Sequence, residues 1–327
     1  MKTMQAITRQ QFGGPEVLQL SEVPMPVVQA GSILIEVRAF GLNRAELYMR
    51  RGEWGDVAAI SGIECVGQVV TDTTGCMQPG QKVMAFMGGM GRSINGSYAG
   101  FTAVPAANVI AIDSELPWEV LAALPESYAT AWTCLHRNLE LKAGQRLLVR
   151  GGTSSLGQAA IALAVHMGAE VIATTRQTAH ADWLRDLGVR HILVADANSG
   201  IHIESVGGKV DAVLDLLGNS SILDSMQQTR CGGHVCLAGF LGGLAPLAAF
   251  NPLAQMPSGV HLSFFGSFNF GNDDFPLNDV PMQQIVSAVE TGALKLKPAR
   301  SFALADIALA HQLMETNAAH GKLVVRV

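Results

Sequence analysis

The stretch LLVRGGTSSLGQAAIALA, residues 147–164, decides the fold. It contains an apolar run, a glycine-rich turn and an alanine-rich segment, which predict a buried strand, a tight turn and a helix. Such a helix begins with unpaired backbone N–H groups and the positive end of its dipole, an arrangement that binds phosphate groups. The spacing Gly152-x-Ser154-x-x-Gly157 matches the G-x-G-x-x-G fingerprint of dinucleotide-binding turns, with serine in the middle position.

A second strand after this helix completes a βαβ unit. Residues 170–175 are rich in β-formers and follow a turn at Gly168. An ordinary glycine turn is the alternative explanation, but the strand–turn–helix–strand context favours a bound pyrophosphate. The predicted contacts in the turn are Gly152, Thr153, Ser154, Ser155, Leu156 and Gly157.

The end of the second strand indicates which dinucleotide binds. Units that bind NAD place an acidic residue about 20 residues past the fingerprint, where it holds the ribose 2′-hydroxyl. Here Thr174, Thr175 and Arg176 stand at that distance, and the nearest acid downstream is Asp182. A guanidinium suits a 2′-phosphate, although a solvated surface arginine is the alternative. We therefore expect NADPH rather than NADH, with these three residues near the 2′-phosphate.

Bulk composition narrows the class of protein. The chain has 327 residues, enough for two domains. Hydrophobic residues make up 49% and charged residues 15%, which suits parallel sheets buried on both faces. A net charge of −5 and the lack of a lysine or arginine run argue against binding to nucleic acid.

No segment suggests export or a membrane span. Lys2 and Arg9 flank no apolar core of a signal peptide. The longest uncharged apolar stretch, residues 234–250, is interrupted by glycines and by Pro246. The five cysteines include no C-x-x-C pair, so neither a structural zinc nor a redox dithiol is indicated. We expect a cytoplasmic protein with buried free thiols.

The pattern along the chain predicts an α/β fold of two domains, one of which is formed by two separate segments of the sequence. Residues 1–122 read as a β-rich domain with a short helix over 44–51. Residues 123–266 alternate strands and helices, which predicts a Rossmann-type, doubly wound parallel sheet. Residues 267–327 resemble the first segment in style and are expected to return to the first domain.

The chain resembles the medium-chain dehydrogenase/reductase superfamily, in its zinc-independent quinone oxidoreductase branch. The resemblance runs nearly from end to end and rests on the order and spacing of several short motifs. It implies that the β-rich domain is GroES-like and catalytic. The matching stretches are AFGLNRAE (39–46), GIECVG (62–67), PGQKV (79–83), GSYA (96–99), ATAW (129–132), the turn at 151–157 and GKLVV (321–325).

Two departures from the zinc-dependent members argue against a metal. Zinc alcohol dehydrogenases have a cysteine ligand where Asn43 stands and a histidine where Ile63 stands. Neither residue suits zinc, so no metal site is expected. Glu64 survives from the same motif and is interpreted as a buried, hydrogen-bonded carboxylate. Cys65 beside it is expected to pack in the core, with solvent access as the alternative.

Without a metal to polarise a carbonyl, the plausible hydride acceptors are already electron-poor small molecules: quinones or α,β-unsaturated carbonyls. The protein must then orient the substrate and donate a hydrogen bond to its oxygen. The resemblance places Asn43 and Tyr48 in this role. The alternatives are a helix cap for Asn43 and an amphipathic core position for Tyr48. Arg44, Arg50 and Arg51 are expected on a solvated face, unless they favour an anionic substrate.

The resemblance also suggests further cofactor contacts and a dimer. A tyrosine that often helps to hold the cofactor is replaced by Ala195. Lys322 is expected near the cofactor phosphates or the domain junction, or else on the surface. A homodimer is predicted from the apolar run 235–247 and the strand 261–265. The further predicted contacts are Thr130, Leu217, Gly218, Gly239, Phe240, Phe265 and Lys322.

Two other functions fit the same residues. An enoyl-thioester reductase would need a long acyl channel, which a sequence does not display. An NADPH-binding sensor or structural protein with little activity would use the fold without the chemistry. The predicted activity is NADPH-dependent reduction of a quinone or an activated alkene, with the choice between the two left open.

Overall fold

The computed structural model describes residues 2–55, 57–194, 201–296 and 298–327. The chain forms two compact units: unit 1 contains residues 1–129, 267–292 and 296–327, and unit 2 contains residues 130–266 and 293–295. Residues 123–129 therefore group with unit 1, unlike the predicted division after residue 122. The reason is local, because the Glu126 N–H donates to Glu64 and Ser127 contacts Lys322, both in unit 1.

The described residues form fifteen strands and nine helices. The strands are β1 Thr3–Thr8, β2 Gln19–Pro24, β3 Ser32–Gly41, β4 Glu64–Asp72, β5 Lys82–Phe86, β6 Phe101–Pro105, β7 Val109–Ala111, β8 Arg146–Arg150, β9 Glu170–Thr175, β10 His191–Val194, β11 Val210–Asp215, β12 Thr229–Leu237, β13 His261–Phe264, β14 Arg300–Ala303 and β15 Leu323–Arg326. The helices are α1 Arg44–Arg51, α2 Trp118–Leu121, α3 Pro125–Thr133, α4 Ser155–His166, α5 Ala181–Asp186, α6 Ile222–Gln227, α7 Pro252–Gln255, α8 Met282–Glu290 and α9 Ile307–Glu315.

Unit 2 is built on a six-stranded parallel sheet with the order β10-β9-β8-β11-β12-β13. This is the strand order typical of dinucleotide-binding domains, and it reverses direction between β8 and β11. The central strands are apolar and buried, as parallel strands covered on both faces must be. The predicted doubly wound sheet is confirmed.

Unit 1 is β-rich, as predicted. Its main sheet has the order β14-β15-β3-β4-β5-β7, with β6 also paired to β3. The long strand β3 lies at the centre, and β15 pairs antiparallel to it, with Val324 opposite Gly41. The end of the chain is thereby placed beside the junction of β3 and α1, which contains the predicted catalytic residue Asn43.

In the ranges that the structure describes, no helix is long and apolar enough to cross a bilayer. Cys65, Cys134 and Cys236 are buried, whereas Cys76 and Cys231 are exposed. The expectation of buried thiols was therefore wrong for the last two: Cys76 follows β4 in a loop, and Cys231 lies in the exposed first part of β12.

Strand β13 forms one edge of the unit 2 sheet and carries apolar side chains in contact with solvent. Leu262 is 41% exposed and Phe264 is 51% exposed. An uncovered apolar edge strand offers unpaired backbone groups to another chain. We propose that β13 pairs with the same strand of a second copy, which also hides these side chains.

We expect sedimentation equilibrium to give a homodimer at micromolar concentration. Phe264→Lys should shift it toward the monomer, because the charge would be buried at the paired edge. The matched control is Val194→Lys on β10, the opposite edge of the same sheet, where Val194 is 52% exposed. A monomeric wild type, or equal dissociation of both variants, contradicts pairing through β13.

Candidate active site

The glycine turn after β8 is tied to the first turn of α4 by one serine. Ser154 is the N-cap residue of α4, and its Oγ accepts from the Gly157 N–H at 3.1 Å. The same hydroxyl donates to the Gly151 carbonyl at 2.8 Å. The hydroxyl hydrogen of Ser154 is therefore used inside the turn, so this predicted contact has no hydroxyl hydrogen left for a phosphate. Ser155 and Leu156 follow in the first helical turn, where backbone N–H groups have no intrahelical acceptor.

The glycines of this turn fit a dinucleotide cradle on steric grounds. A Cβ on Gly157 would overlap the Gly151 carbonyl, and one on Gly152 would lie 2.9 Å from the Ala173 Cβ. Gly151 has a φ of +85°, a backbone conformation that favours glycine. The helix start therefore packs directly on the turn, and the N–H groups of Ser155 and Leu156, which have no intrahelical acceptor, suit a pyrophosphate.

At the carboxyl edge of the unit 2 sheet, neighbouring loops are hydrogen-bonded to the glycine turn or to one another. The Gly151 N–H donates to Thr174 Oγ1 at 3.1 Å, and the Leu216 N–H donates to the Arg150 carbonyl at 3.2 Å. The Leu241 N–H in turn donates to the Leu216 carbonyl at 2.9 Å. The segments that these bonds bring together contain the predicted residues Gly152–Gly157, Thr174, Leu217, Gly218, Gly239 and Phe240.

Asp215 shapes one of these loops, and sequence reasoning missed it. Its side chain is fully buried, and Oδ1 accepts from the Leu217 N–H at 2.8 Å and the Gly218 N–H at 3.1 Å. Both oxygens also accept from the Ser221 hydroxyl. The available signal was an acid at the end of an apolar strand, directly before a turn with glycine.

The end of β9 differs from its predicted role in one respect. Thr174 and Thr175 are buried, at 3% and 4% exposure. Thr174 Oγ1 accepts from the Gly151 N–H, and Thr175 Oγ1 lies 3.1 Å from the carbonyl oxygen of Gln177 and donates to it. The hydroxyl hydrogen of Thr175 is therefore used at the end of this strand, whereas Thr174 acts there as an acceptor. Arg176 is exposed at this end of the strand, as a phosphate contact would require.

Two other predicted contacts of unit 2 are buried. Thr130 lies on α3 with 2% exposure, and Phe265 follows β13 with 2% exposure. The Phe265 N–H donates to the Leu237 carbonyl at 3.0 Å, which places Phe265 at the carboxyl edge of the sheet. Ala195 lies outside the described residues.

Unit 1 contains a buried polar cluster of four side chains, which we call the lysine cluster: Asn43, Glu64, Ser127 and Lys322. The Lys322 Nζ donates to Glu64 Oε1 at 2.5 Å, to Asn43 Oδ1 at 2.7 Å and to Ser127 Oγ at 3.2 Å. An ammonium has three donors, so all of them are used within the cluster. Lys322 is 4% exposed, so it is not a surface residue, and it has no donor left for the cofactor phosphates, which were one of the two other places expected for it.

Four elements of unit 1 bring the lysine cluster together. Asn43 follows β3, Glu64 begins β4, Ser127 lies on α3 and Lys322 directly precedes β15. Gly41 leaves room for them, since a Cβ there would overlap Lys322 Cε, Glu64 Oε1 and the Ala122 carbonyl.

Asn43 occupies the N-cap position of α1, but its side chain faces the lysine cluster. Its Nδ2 donates to Glu64 Oε1 at 2.7 Å, while its backbone N–H donates to the Glu46 carboxyl at 2.8 Å. The second Glu64 oxygen accepts from the Glu126 N–H at 2.8 Å. Glu64 is therefore the buried, hydrogen-bonded carboxylate that the sequence indicated.

Tyr48 lies one turn further along α1 and is half-buried. Its ring packs edge-on against Trp54, with centroids 5.9 Å apart. Burial raises the pKa of the Tyr48 phenol, and the positive charge of Arg44 partly offsets this rise. The phenol is thus protonated at neutral pH and is a hydrogen-bond donor.

A second buried network joins α1 to α9 and to Tyr98. Arg50 Nη1 donates to His311 Nδ1 at 3.2 Å, so the neutral imidazole carries its proton on Nε2. That N–H donates to the Tyr98 oxygen at 2.9 Å, and the Tyr98 hydroxyl donates to Glu46 at 2.7 Å. Arg50 also pairs with Glu315 at 2.9 Å and is fully buried. The expectation of a solvated Arg50 was wrong, because the pattern of α1 does not reveal α9 packed against it.

Ile63, which stands where zinc alcohol dehydrogenases have a histidine ligand, and the nearby Cys65 both lie in the interior of unit 1. Ile63 is buried, and its N–H donates to Glu46 at 3.0 Å. Cys65 is fully buried, and burial raises the pKa of its thiol. Over the described ranges, no group of three or more His, Cys, Asp or Glu side chains could hold a metal ion.

Comparisons with known proteins agree with this geometry. Residues 29–114 match the alcohol dehydrogenase GroES-like domain, and residues 155–281 match the zinc-binding dehydrogenase family. The quinone oxidoreductase of Rattus norvegicus is 26% identical over 99% of this chain and 98% of its own length. The chain belongs to the medium-chain dehydrogenase/reductase superfamily.

Solved structures of superfamily members support the quinone oxidoreductase-like branch. A mycobacterial protein determined as a complex with NADPH is 26% identical, with a TM-score of 0.84 over 99% of this chain and all of its own. The quinone oxidoreductase of Coxiella burnetii is 25% identical, with a TM-score of 0.82 over the whole of both chains. This superfamily member is therefore quinone oxidoreductase-like, and an oxidoreductase.

Two groups in the second network have pKa values that make opposite contributions to stability. Burial raises the pKa of Glu46 from 4.5 to about 7, against the opposing effect of its hydrogen bonds. Burial, together with the charge of Arg50, lowers the pKa of His311 from 6.5 to about 3. Between pH 4.5 and 6.5 the folded chain holds a proton on Glu46 that the unfolded chain lacks, and the unfolded chain holds one on His311. The effects of Glu46 and His311 on the pH dependence of the free energy of unfolding therefore cancel over this range.

Glu46→Gln should expose the His311 contribution alone. We expect the free energy of unfolding of this variant to fall as the pH drops from 6.5 to 4.5, by up to about 1.4 kcal/mol per pH unit more than in the wild type. His311→Gln, which can accept from Arg50 and donate to Tyr98, should show the reverse, with stability falling as the pH rises over that range. Urea unfolding at several pH values measures both. Identical pH profiles in all three proteins would contradict the assigned network.

Proposed function

We propose that this protein is an NADPH-dependent reductase that transfers hydride, without a metal, to a quinone or to the β-carbon of an α,β-unsaturated carbonyl. The observation that carries the proposal is the lysine cluster. At the position of a zinc ligand in the metal-dependent members stands Asn43, whose amide is hydrogen-bonded to a buried ammonium and a buried carboxylate. Such a cluster supplies hydrogen bonds and charge rather than a Lewis acid.

Unit 2 supplies the residues that would hold the cofactor. The cradle of Gly152 and Gly157 and the first turn of α4 suit the pyrophosphate, and Arg176 suits the 2′-phosphate. NADPH, when bound, supplies the hydride. The preference over NADH rests on the exposed Arg176 and on the lack of an acid at the end of β9.

The chain's own residues must orient the substrate and stabilise the charge that develops on its oxygen. Asn43 is proposed to donate from its amide and Tyr48 from its protonated phenol. Both donors belong to unit 1, where Asn43 is held by the lysine cluster and Tyr48 by Trp54. Quinones and enones suit such a site because their conjugation already makes the accepting carbon electrophilic.

A substrate panel tests this assignment against its alternatives. We expect NADPH oxidation in the presence of quinones and enones, at a rate that depends on substrate concentration. Reduction restricted to long-chain enoyl thioesters would instead support the enoyl-thioester reductase. Tight NADPH binding with no turnover of any member of the panel would support a sensor or structural protein.

Arg176→Ala tests the choice of cofactor. Loss of one charge-assisted contact should weaken NADPH binding by about 10- to 150-fold and leave NADH binding nearly unchanged. Arg185→Ala is the matched control, since Arg185 is another exposed arginine of unit 2 but pairs with Asp182. Titrating NADPH and NADH into the wild type and the two variants gives the ratio of the two affinities for each protein. A wild type that prefers NADH, or an unchanged ratio in Arg176→Ala, contradicts the cofactor assignment.

A further inference from the structure

The Asn43 amide has only one orientation that its neighbours allow. An ammonium only donates and an ionised carboxylate only accepts, so Oδ1 must face Lys322 and Nδ2 must face Glu64. Both contacts are 2.7 Å long. A flipped amide would place N–H groups against the ammonium and the carbonyl oxygen against the carboxylate, losing both hydrogen bonds. The ion pair therefore fixes the direction of the amide.

This arrangement uses one of the two Nδ2 hydrogens. Among the residues that the structure describes, the second has no acceptor, and Asn43 keeps 7% of its surface exposed. The Lys322 charge at Oδ1 draws electron density from the amide, which makes the remaining N–H a stronger donor. All three donors of Lys322 are used by the cluster, so its influence on a substrate passes through Asn43.

We propose that Lys322 and Glu64 are positioning residues, which fix and polarise the Asn43 amide so that its second N–H is aimed at the substrate oxygen; this inference rests on the proposed function. Preorganised donors stabilise developing charge because they need no reorientation during the reaction. A purely structural role explains less, since a buried ion pair costs desolvation energy and is often no more stable than an apolar pair of the same shape.

Two variants remove the orienting charge. Lys322→Met keeps the length of the side chain but leaves Glu64 unpaired. The double variant Lys322→Met/Glu64→Gln avoids that buried charge, so it carries the test if the single variant does not fold, as checked by circular dichroism. We expect kcat for an enone to fall by about 10- to 100-fold in both, with KM changed little, because the loss is confined to the developing charge. Lys82→Met, a half-buried lysine of unit 1 outside the cluster, is the matched control.

Equilibrium binding of 4-nitrophenolate gives a readout that does not depend on turnover. The phenolate oxygen mimics the developing charge, and its absorbance reports binding. We expect the wild type to bind it, and both Lys322 variants to bind it at least about 10-fold more weakly. Neutral 4-nitroanisole should bind all the proteins alike, whereas a structural role would alter both ligands together.

The outcomes distinguish the positioning role of Lys322 and Glu64 from the proposed reductase function. Unchanged kcat and phenolate affinity in both Lys322 variants, equal weakening of both ligands, or a wild type that does not bind the phenolate would overturn the inference. Phenolate discrimination in a wild type that reduces no quinone or enone would overturn the proposed function and keep the orienting role.

Discussion

The buried charge of Lys322 holds four elements of unit 1 together. Lys322 directly precedes the last strand, yet its ammonium is 4% exposed and must be compensated where it lies. Glu64 supplies the opposite charge from the start of β4, while Asn43 and Ser127 supply oxygen acceptors from the start of α1 and from α3. The ion pair therefore links segments that are far apart in sequence, and it determines which way the Asn43 amide points.

Different kinds of contact hold the candidate site residues of the two units. In unit 2, the shape of the turn depends on the absence of side chains at Gly152 and Gly157 and on hydroxyls and a carboxylate that hold the surrounding loops. In unit 1, the residues at the metal-ligand positions of the zinc enzymes belong to hydrogen-bonded networks. Ile63 donates only through its backbone, and Asn43 is tied to an ion pair. At the position where the resemblance puts a zinc ligand, this chain thereby holds an amide that is hydrogen-bonded to a buried ion pair.

The sequence predicted the features that depend on local periodicity. Helix α1 was expected over 44–51 and is found there, and the β8–turn–α4–β9 unit follows the fingerprint. Contacts between distant segments were not predictable in this way. Nothing near Lys322 in the sequence indicates Glu64 or Asn43, and nothing in α1 indicates that Arg50 meets His311. Ser154 and Thr175 were expected to contact the cofactor, but their hydroxyls donate to the carbonyls of Gly151 and Gln177, and such competing acceptors cannot be seen in a sequence.

The most direct test of the account is the fate of the transferred hydrogen. NADPH carrying deuterium at the reactive carbon of the nicotinamide should be prepared in both stereochemical forms and used to reduce an enone in ordinary water. One of the two forms should deliver one deuterium to the β-carbon of the product, as mass spectrometry would show. Products without deuterium from either form would mean that the hydrogen comes from elsewhere, and would contradict direct hydride transfer by this protein.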